Sequence, residues 1–159
     1  MRNFEAALKF NAAIITGRTV SYLIPDKDVS DSFNSIHKNL DDLGIVCFDF
    51  IDAPNFIPFI DPLKKITHRA KDKNKKFQRD SYWSVNESQA GAFNWDSVYY
   101  EEMEPGALIK LAEDKATLRA FSRAEMTGFL QQTGFQIKEF IERPSYAFAT
   151  IVIVAEKIN

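Results

Sequence analysis

The stretch Asn11-Ala12-Ala13-Ile14-Ile15-Thr16-Gly17 (NAAIITG, residues 11–17) decides how the rest of the chain is read. A short apolar block closed by Thr-Gly reads as a strand buried on both faces, as in the middle of a parallel sheet. Such a strand needs neighbours, and its partner follows after one helix. In DKDVSDSFNSIHKNLDDLG, Val29, Phe33, Ile36 and Leu40 recur at helical spacing, with Asp26 or Asp28 available as a cap and Gly44 as the stop. GIVCFDFID, residues 44–52, is again nearly continuous apolar sequence. Strand, helix and strand with short joints make a βαβ unit over residues 1–53, its strands parallel and its crossover right-handed.

From about residue 54 to 120 the pattern changes. KKITHRAK, KKFQRDSYWSVN, WDSVYYEEM and ALIKLAEDKATLRAF alternate polar with apolar residues, and KDKN, NESQAG and MEPG separate them. This predicts an inserted antiparallel ribbon with one wet face. From about 121 to 159, SRAEMTGFLQQTGF places Glu125 three residues after Ser122, the spacing of a capping box. Met126, Phe129 and Leu130 supply the apolar face of that helix and Gly134 its stop. FQIKEFIE and AFATIVIVAEK follow as an antiparallel pair joined through Arg143-Pro144-Ser145-Tyr146.

The bulk numbers narrow the function classes. The 159 residues suffice for one domain with a real core, and the formal net charge of −2 gives no global attraction to nucleic acid or anionic membranes. A single cysteine, Cys47, excludes an internal disulfide and suits a reducing compartment, so the expected location is the cytoplasm. No apolar run approaches the roughly 20 residues of a membrane span. His37 and His68 have no companion at ligand spacing, so no metal site is expected.

In this order the segments resemble a known family. MRNFEAALKFNAAIITGRTVSYL is similar to the approach to the fourth strand of class I S-adenosylmethionine-dependent methyltransferases. IHKNLDDLGIVCFDFIDAPNF resembles the family's next helix and its fifth strand, and LRAFSRAEMTGFLQQTGFQIKEF its approach to the sixth. Asn11 stands where the family usually has Asp, and Asp41-Asp42-Leu43-Gly44 replaces a Pro-Gly-Gly turn. The fold this implies is α/β: a partial Rossmann-like sheet, family strands 4-5-7-6 with the last pair antiparallel, carrying the inserted ribbon. The family's Gly-rich first turn and ribose-binding acid have no counterpart among these residues, so the chain is expected to be the C-terminal, acceptor-side half. Alone it is expected to be inactive and to bind no S-adenosylmethionine, the cofactor of the complete enzyme.

The resemblance also implies site residues. Met1 and Arg2 match the adenine-side segment, and Thr16, Gly17 and Arg18 the loop that touches the cofactor's methionine end. Tyr22 is expected to line the pocket of a small-molecule methyl acceptor. Asp49 and Asp52, at the end of the second strand, either meet the acceptor or serve as turn residues. Arg119 either reaches an acidic group of the substrate or pairs with Glu101 or Glu102. No catalytic acid or base is required, because methyl transfer depends on holding donor and acceptor aligned.

Two other readings stand beside this one. The strand at 12–16 leaves an edge for homodimerisation or for pairing with another chain, as in a binding module without catalysis. More distantly, Lys64, Lys65, Arg69, Lys71, Lys73, Lys75, Lys76 and Arg79, opposed only by Asp72 and lying beside Phe77, Tyr82 and Trp83, mix cations with aromatics as nucleic-acid surfaces do. Trp83, Trp95, Tyr99 and Tyr100 read as packing or pocket residues.

Overall fold

The computed structural model describes residues 2–143 and 148–158. Met1 and Pro144-Ser145-Tyr146, expected to join the last two strands, therefore lie outside the described residues. The elements run β1 (Phe10–Ile15), α1 (Asp26–Asn39), β2 (Leu40–Ile51), β3 (Ile66–Asp72), β4 (Lys75–Val85), β5 (Ala92–Met103), β6 (Ala107–Arg119), α2 (Arg123–Gln132), β7 (Phe135–Arg143) and β8 (Thr150–Lys157). They form two four-stranded sheets, ordered β1-β2-β8-β7 and β3-β4-β5-β6. In the first sheet β1 runs parallel to β2, with Ile14 opposite Cys47, while β8 is antiparallel to both β2 and β7. The second sheet is an antiparallel meander, as the alternating sequence predicts.

Side-chain alternation sorts the first sheet into two unlike faces. Val46, Phe48 and Phe50 of β2 and Ile151, Ile153 and Ala155 of β8 turn inward with Val29 and Phe33 of α1 and Met126 and Leu130 of α2. Each large apolar side chain buried there contributes about 1.5–3 kcal/mol, which fixes the register of the sheet. Cys47, Asp49, Val152 and Val154 point the other way and are only half-buried. The expectation that β1 is buried on both faces fails here. Ala13 and Ile15 pack on the core, but Ile14 is 73% exposed, and among the described residues β1 has a strand neighbour only on the β2 side.

Two helix signals also resolve differently. Pro25 is the N-cap of α1, without a side-chain cap, and Asp26 and Asp28 sit inside its first turn. There their charge meets the positive end of the helix. Gly44 is not the helix stop: α1 ends at Asn39, and the left-handed residue is Leu43, at φ 62°. Gly44 lies within β2, where a Cβ would come 2.8 Å from the Asp41 carbonyl oxygen. The helix α2 keeps its capping box, with the Glu125 N–H donating to Ser122 Oγ at 3.2 Å and the Ser122 N–H to Glu125 Oε2 at 2.8 Å.

The meander leaves and rejoins the first sheet through adjacent strands. Phe121 N–H donates to the Ile51 carbonyl at 2.9 Å, and Ala53 N–H to the Phe121 carbonyl at 3.0 Å. Beside this neck Ile51, Phe56, Phe93, Leu118, Ala120 and Phe148 form a second core, against which Trp83 and Trp95 pack.

Candidate functional site

At the carboxyl ends of β1 and β2 lies an open cleft of about 370 Å³, lined by Thr16, Arg18, Cys47, Asp49, Arg143 and Val152 among others. The chain turns sharply there because Gly17 and Arg18 are both left-handed, at φ 72° and 60°. Gly17 adopts this at little cost, whereas Arg18 requires compensation. Asp49 supplies it: the Arg18 backbone N–H donates to Asp49 Oδ1 at 2.7 Å, a charge-assisted bond from loop to neighbouring strand. Thr19 Oγ1 closes the turn on the Thr16 carbonyl at 2.7 Å. Nothing lies within 4 Å of where a Gly17 Cβ would be, so the backbone there is open to a ligand. The Arg18 guanidinium lies 5.0 Å from the Phe148 ring centre, within cation–π range.

Of the residues singled out from sequence, Thr16, Arg18 and Asp49 meet at this cleft, with Gly17 in the turn between the first two. Tyr22, Asp52 and Arg119 are not among its lining residues. Tyr22 ends a 3-10 turn over Thr19–Tyr22 and is 57% exposed. Asp52 is buried at the neck and accepts from Asn55 Nδ2 at 2.6 Å, a turn role. Arg2 is exposed and pairs with Asp28 at 2.7 Å, a contact that raises its pKa through the hydrogen bond and the charge of Asp28.

Arg119 departs furthest from expectation. It is 2% exposed, and it pairs with neither Glu101 nor Glu102. Its Nη1 donates to the Ile24 carbonyl at 2.8 Å and to Asp26 Oδ1 at 2.6 Å, and its Nη2 to Glu125 Oε1 at 3.1 Å. The guanidinium also lies 4.7 Å from the Phe121 ring centre. It ties the end of β6 to the start of both helices, which makes it structural. Burial pushes the Glu125 carboxyl up, but hydrogen bonds from Ser122 and Arg119 outweigh this and hold it below its ordinary value.

In the basic hairpin, Lys65 pairs with Asp80 at 3.1 Å and Lys75 with Glu101 at 3.0 Å. The Trp83 and Trp95 rings lie 5.1 and 5.5 Å from that of Phe148, tilted and edge-on respectively, so of the two roles the sequence left open, packing or pocket, both take packing. Sequence reasoning missed Cys47, Phe148, Arg143 and Thr150 at or beside the cleft. The signal for two of them lies in pairing, since β8 sets Thr150 opposite Ile51 and Val154 opposite Cys47. Without that register nothing in β8 marks a cleft residue. Among the described residues no helix is long and apolar enough to cross a membrane.

Solved structures with the same fold are S-adenosylmethionine-dependent methyltransferases. SAM-bound CalS10, an amino pentose methyltransferase of Micromonospora echinaspora, matches with a TM-score of 0.77 at 15% identity over 98% of this chain and 61% of its own. The sugar N-methyltransferase KedS8 of Streptoalloteichus matches at 0.76, with 11% identity over 99% of this chain and 60% of its own. DesVI of Streptomyces venezuelae matches at 0.75, with 16% identity over 96% and 61%. At these identities the likeness defines the fold, that of the Rossmann-like methyltransferases. The chain spans about 61% of the length of these structures. No protein-family model matches the chain, and no curated protein matches it by sequence.

Proposed function

We propose that this chain is the acceptor-side part of an S-adenosylmethionine-dependent methyltransferase acting on a small molecule, a sugar amine being the acceptor that the similar structures favour. The observation that carries the reading is the cleft at the carboxyl ends of parallel β1 and β2, the place where open α/β sheets bind ligands, within a chain that aligns along nearly its whole length with solved methyltransferases.

The residues present fit one end of the cofactor. Arg18 offers a guanidinium for a carboxylate, and Thr16 and Gly17 offer backbone that a ligand can approach, with Arg2 nearer the adenine side. When bound, the cofactor supplies an electrophilic methyl group on sulfur. Asp49 then has two tasks on this proposal: its Oδ1 holds the Arg18 turn, and as a lining residue of the cleft its carboxylate serves an acceptor amine. Tyr22, exposed at the end of the turn that follows Arg18, is assigned to the acceptor side on this proposal although it does not line the cleft. Asp52 and Arg119, already engaged in the neck and the helix clamp, have no part in it.

Donor binding on this reading needs a Gly-rich turn and a ribose-binding acid contributed from outside these residues, docked along the free edge of β1. A second copy joined at that edge is the alternative arrangement, and light scattering distinguishes monomer from dimer. Isothermal titration of the chain with S-adenosylmethionine tests the division of labour. The expected result is no saturable heat below about 1 mM, a binding free energy weaker than about 4 kcal/mol. A low-micromolar Kd would place the whole donor site within these residues and refute the proposal.

A further inference from the structure

The meander carries a second concavity whose chemistry the methyl-transfer reading does not use. On the sheet face that holds Trp83 and Trp95 is an apolar groove of about 320 Å³, lined by His68, Ala70, Phe77, Arg79, Tyr99 and Leu111 among others. Cross-strand pairing makes it: Arg79 stands opposite both His68 and Tyr99, and Phe77 opposite Ala70. Leu111 reaches the same face because β6 bulges there, Ala112 pairing with Tyr99 and Lys110 with Tyr100.

Arg79 is the unusual member. Its guanidinium sits 5.5 Å from the Trp95 ring centre, and its Nη2 donates to His68 Nδ1 at 3.3 Å. Its Nε is buried with no hydrogen-bond partner among the described residues. Two neighbouring carboxylates are engaged elsewhere, Asp80 with Lys65 and Glu101 with Lys75. A partly buried guanidinium with no ion-pair partner among the described residues, in apolar surroundings, is costly unless an anion completes it. The flanking cations of the β3–β4 hairpin add a local positive field, and Arg69 also lines the groove.

We propose that this groove binds a small amphipathic anion, its apolar ring against Phe77, Tyr99 and Leu111 and its carboxylate or phosphate on Arg79. An aromatic ring gains from Phe77 and Tyr99, and the planar fork of arginine suits a carboxylate or phosphate.

The test is titration of the ¹⁵N-labelled chain with phenyl phosphate, benzoate, benzyl alcohol and inorganic phosphate, read by amide shifts. Phenyl phosphate or benzoate should move the amides of His68, Phe77, Arg79, Tyr99 and Leu111 saturably, and the stronger of the two identifies the anionic group. Arg79→Met, which keeps the stem over Trp95, should weaken that binding about tenfold, the scale of one charge-assisted hydrogen bond, and leave benzyl alcohol unaffected. Leu111→Gln, at an exposed position where folding is not at stake, should weaken the aromatic anions and leave inorganic phosphate unchanged. The proposal is overturned if Arg79→Met binds phenyl phosphate and benzoate as the parent does. It is equally overturned if inorganic phosphate matches phenyl phosphate, or if the shifts are confined to the Lys71–Lys76 tip.

Discussion

Replacing Arg119 by methionine removes the cation that joins the meander to both helices and keeps most of the side-chain volume. The cost can be worked from its contacts. Asp26 is 66% exposed and rehydrates when freed, so that pair contributes only about 0.5–1 kcal/mol. The Ile24 carbonyl and Glu125 lose charge-assisted donors in a partly buried setting, about 1–1.5 kcal/mol each after Glu125 keeps its bonds to Ser122. Loss of the cation over Phe121 adds about 0.5 kcal/mol. The expected deficit is about 3–4.5 kcal/mol. In urea, with m about 2 kcal/mol/M, the midpoint falls by about 1.5–2 M at unchanged slope. Arg119→Lys can serve only one of the diverging acceptors and should recover less than half.

The deficit should also depend on pH. The folded Glu125 carboxyl lies below its unfolded value, so its contribution is complete above the unfolded range and is lost as pH falls through the folded one. The gap between parent and Arg119→Met should therefore narrow from neutral pH to about pH 3. A deficit below about 0.5 kcal/mol at neutral pH, or one insensitive to acid, would refute the structural role assigned to Arg119.

Further tests address the cleft and the meander. Asp49→Ala leaves the left-handed Arg18 N–H without its acceptor, and exchange of that amide should quicken about tenfold with little change in global stability; unchanged exchange would show that the turn holds itself. Burial pushes the Asp80 carboxyl up, but hydrogen bonds from Thr67, Lys65 and Gln78 and the charge of Lys65 outweigh it and hold it below its ordinary 3.8. Its stabilisation is thus full above the unfolded carboxyl range and lost as pH falls through the lowered folded value. Asp80→Asn should be less stable than the parent at pH 7 by about 1–3 kcal/mol in urea melts and should converge with it in acid; equal stability at pH 7 counts against the network.

The parts legible in the sequence are those set by local chemistry. The capping box at Ser122 and Glu125, the apolar spacing of Val29 and Phe33, and the alternation of β4 and β5 each act within a few residues, and the fold follows them. What was not legible depends on distant chain. An apolar run such as 12–15 reads as buried from composition, but its exposure depends on what covers the outer face, which no local pattern states. Gly44 has the composition of a stop, yet its role comes from the Asp41 carbonyl beside it. Arg119 found Asp26 because the meander folds back on α1, a contact across 93 residues. At the cleft, the turn residues Thr16, Gly17 and Arg18 were readable. Thr150 was not, because it arrives by strand pairing from the far end, and Phe148 was not, because it is carried there just ahead of that strand.

The neck at Ile51–Ala53 and Ala120–Phe121 has a bearing on inheritance. Since both junctions of the meander lie side by side and are clipped by two backbone hydrogen bonds, lengthening or exchanging the segment between them leaves the anchoring sheet's register untouched. Variation in that segment is thus decoupled from the sheet's register, provided that Arg119 and the second-core residues Phe56, Trp83, Phe93 and Trp95 are kept. A graft cut at these two points should carry its own binding preferences onto a new host.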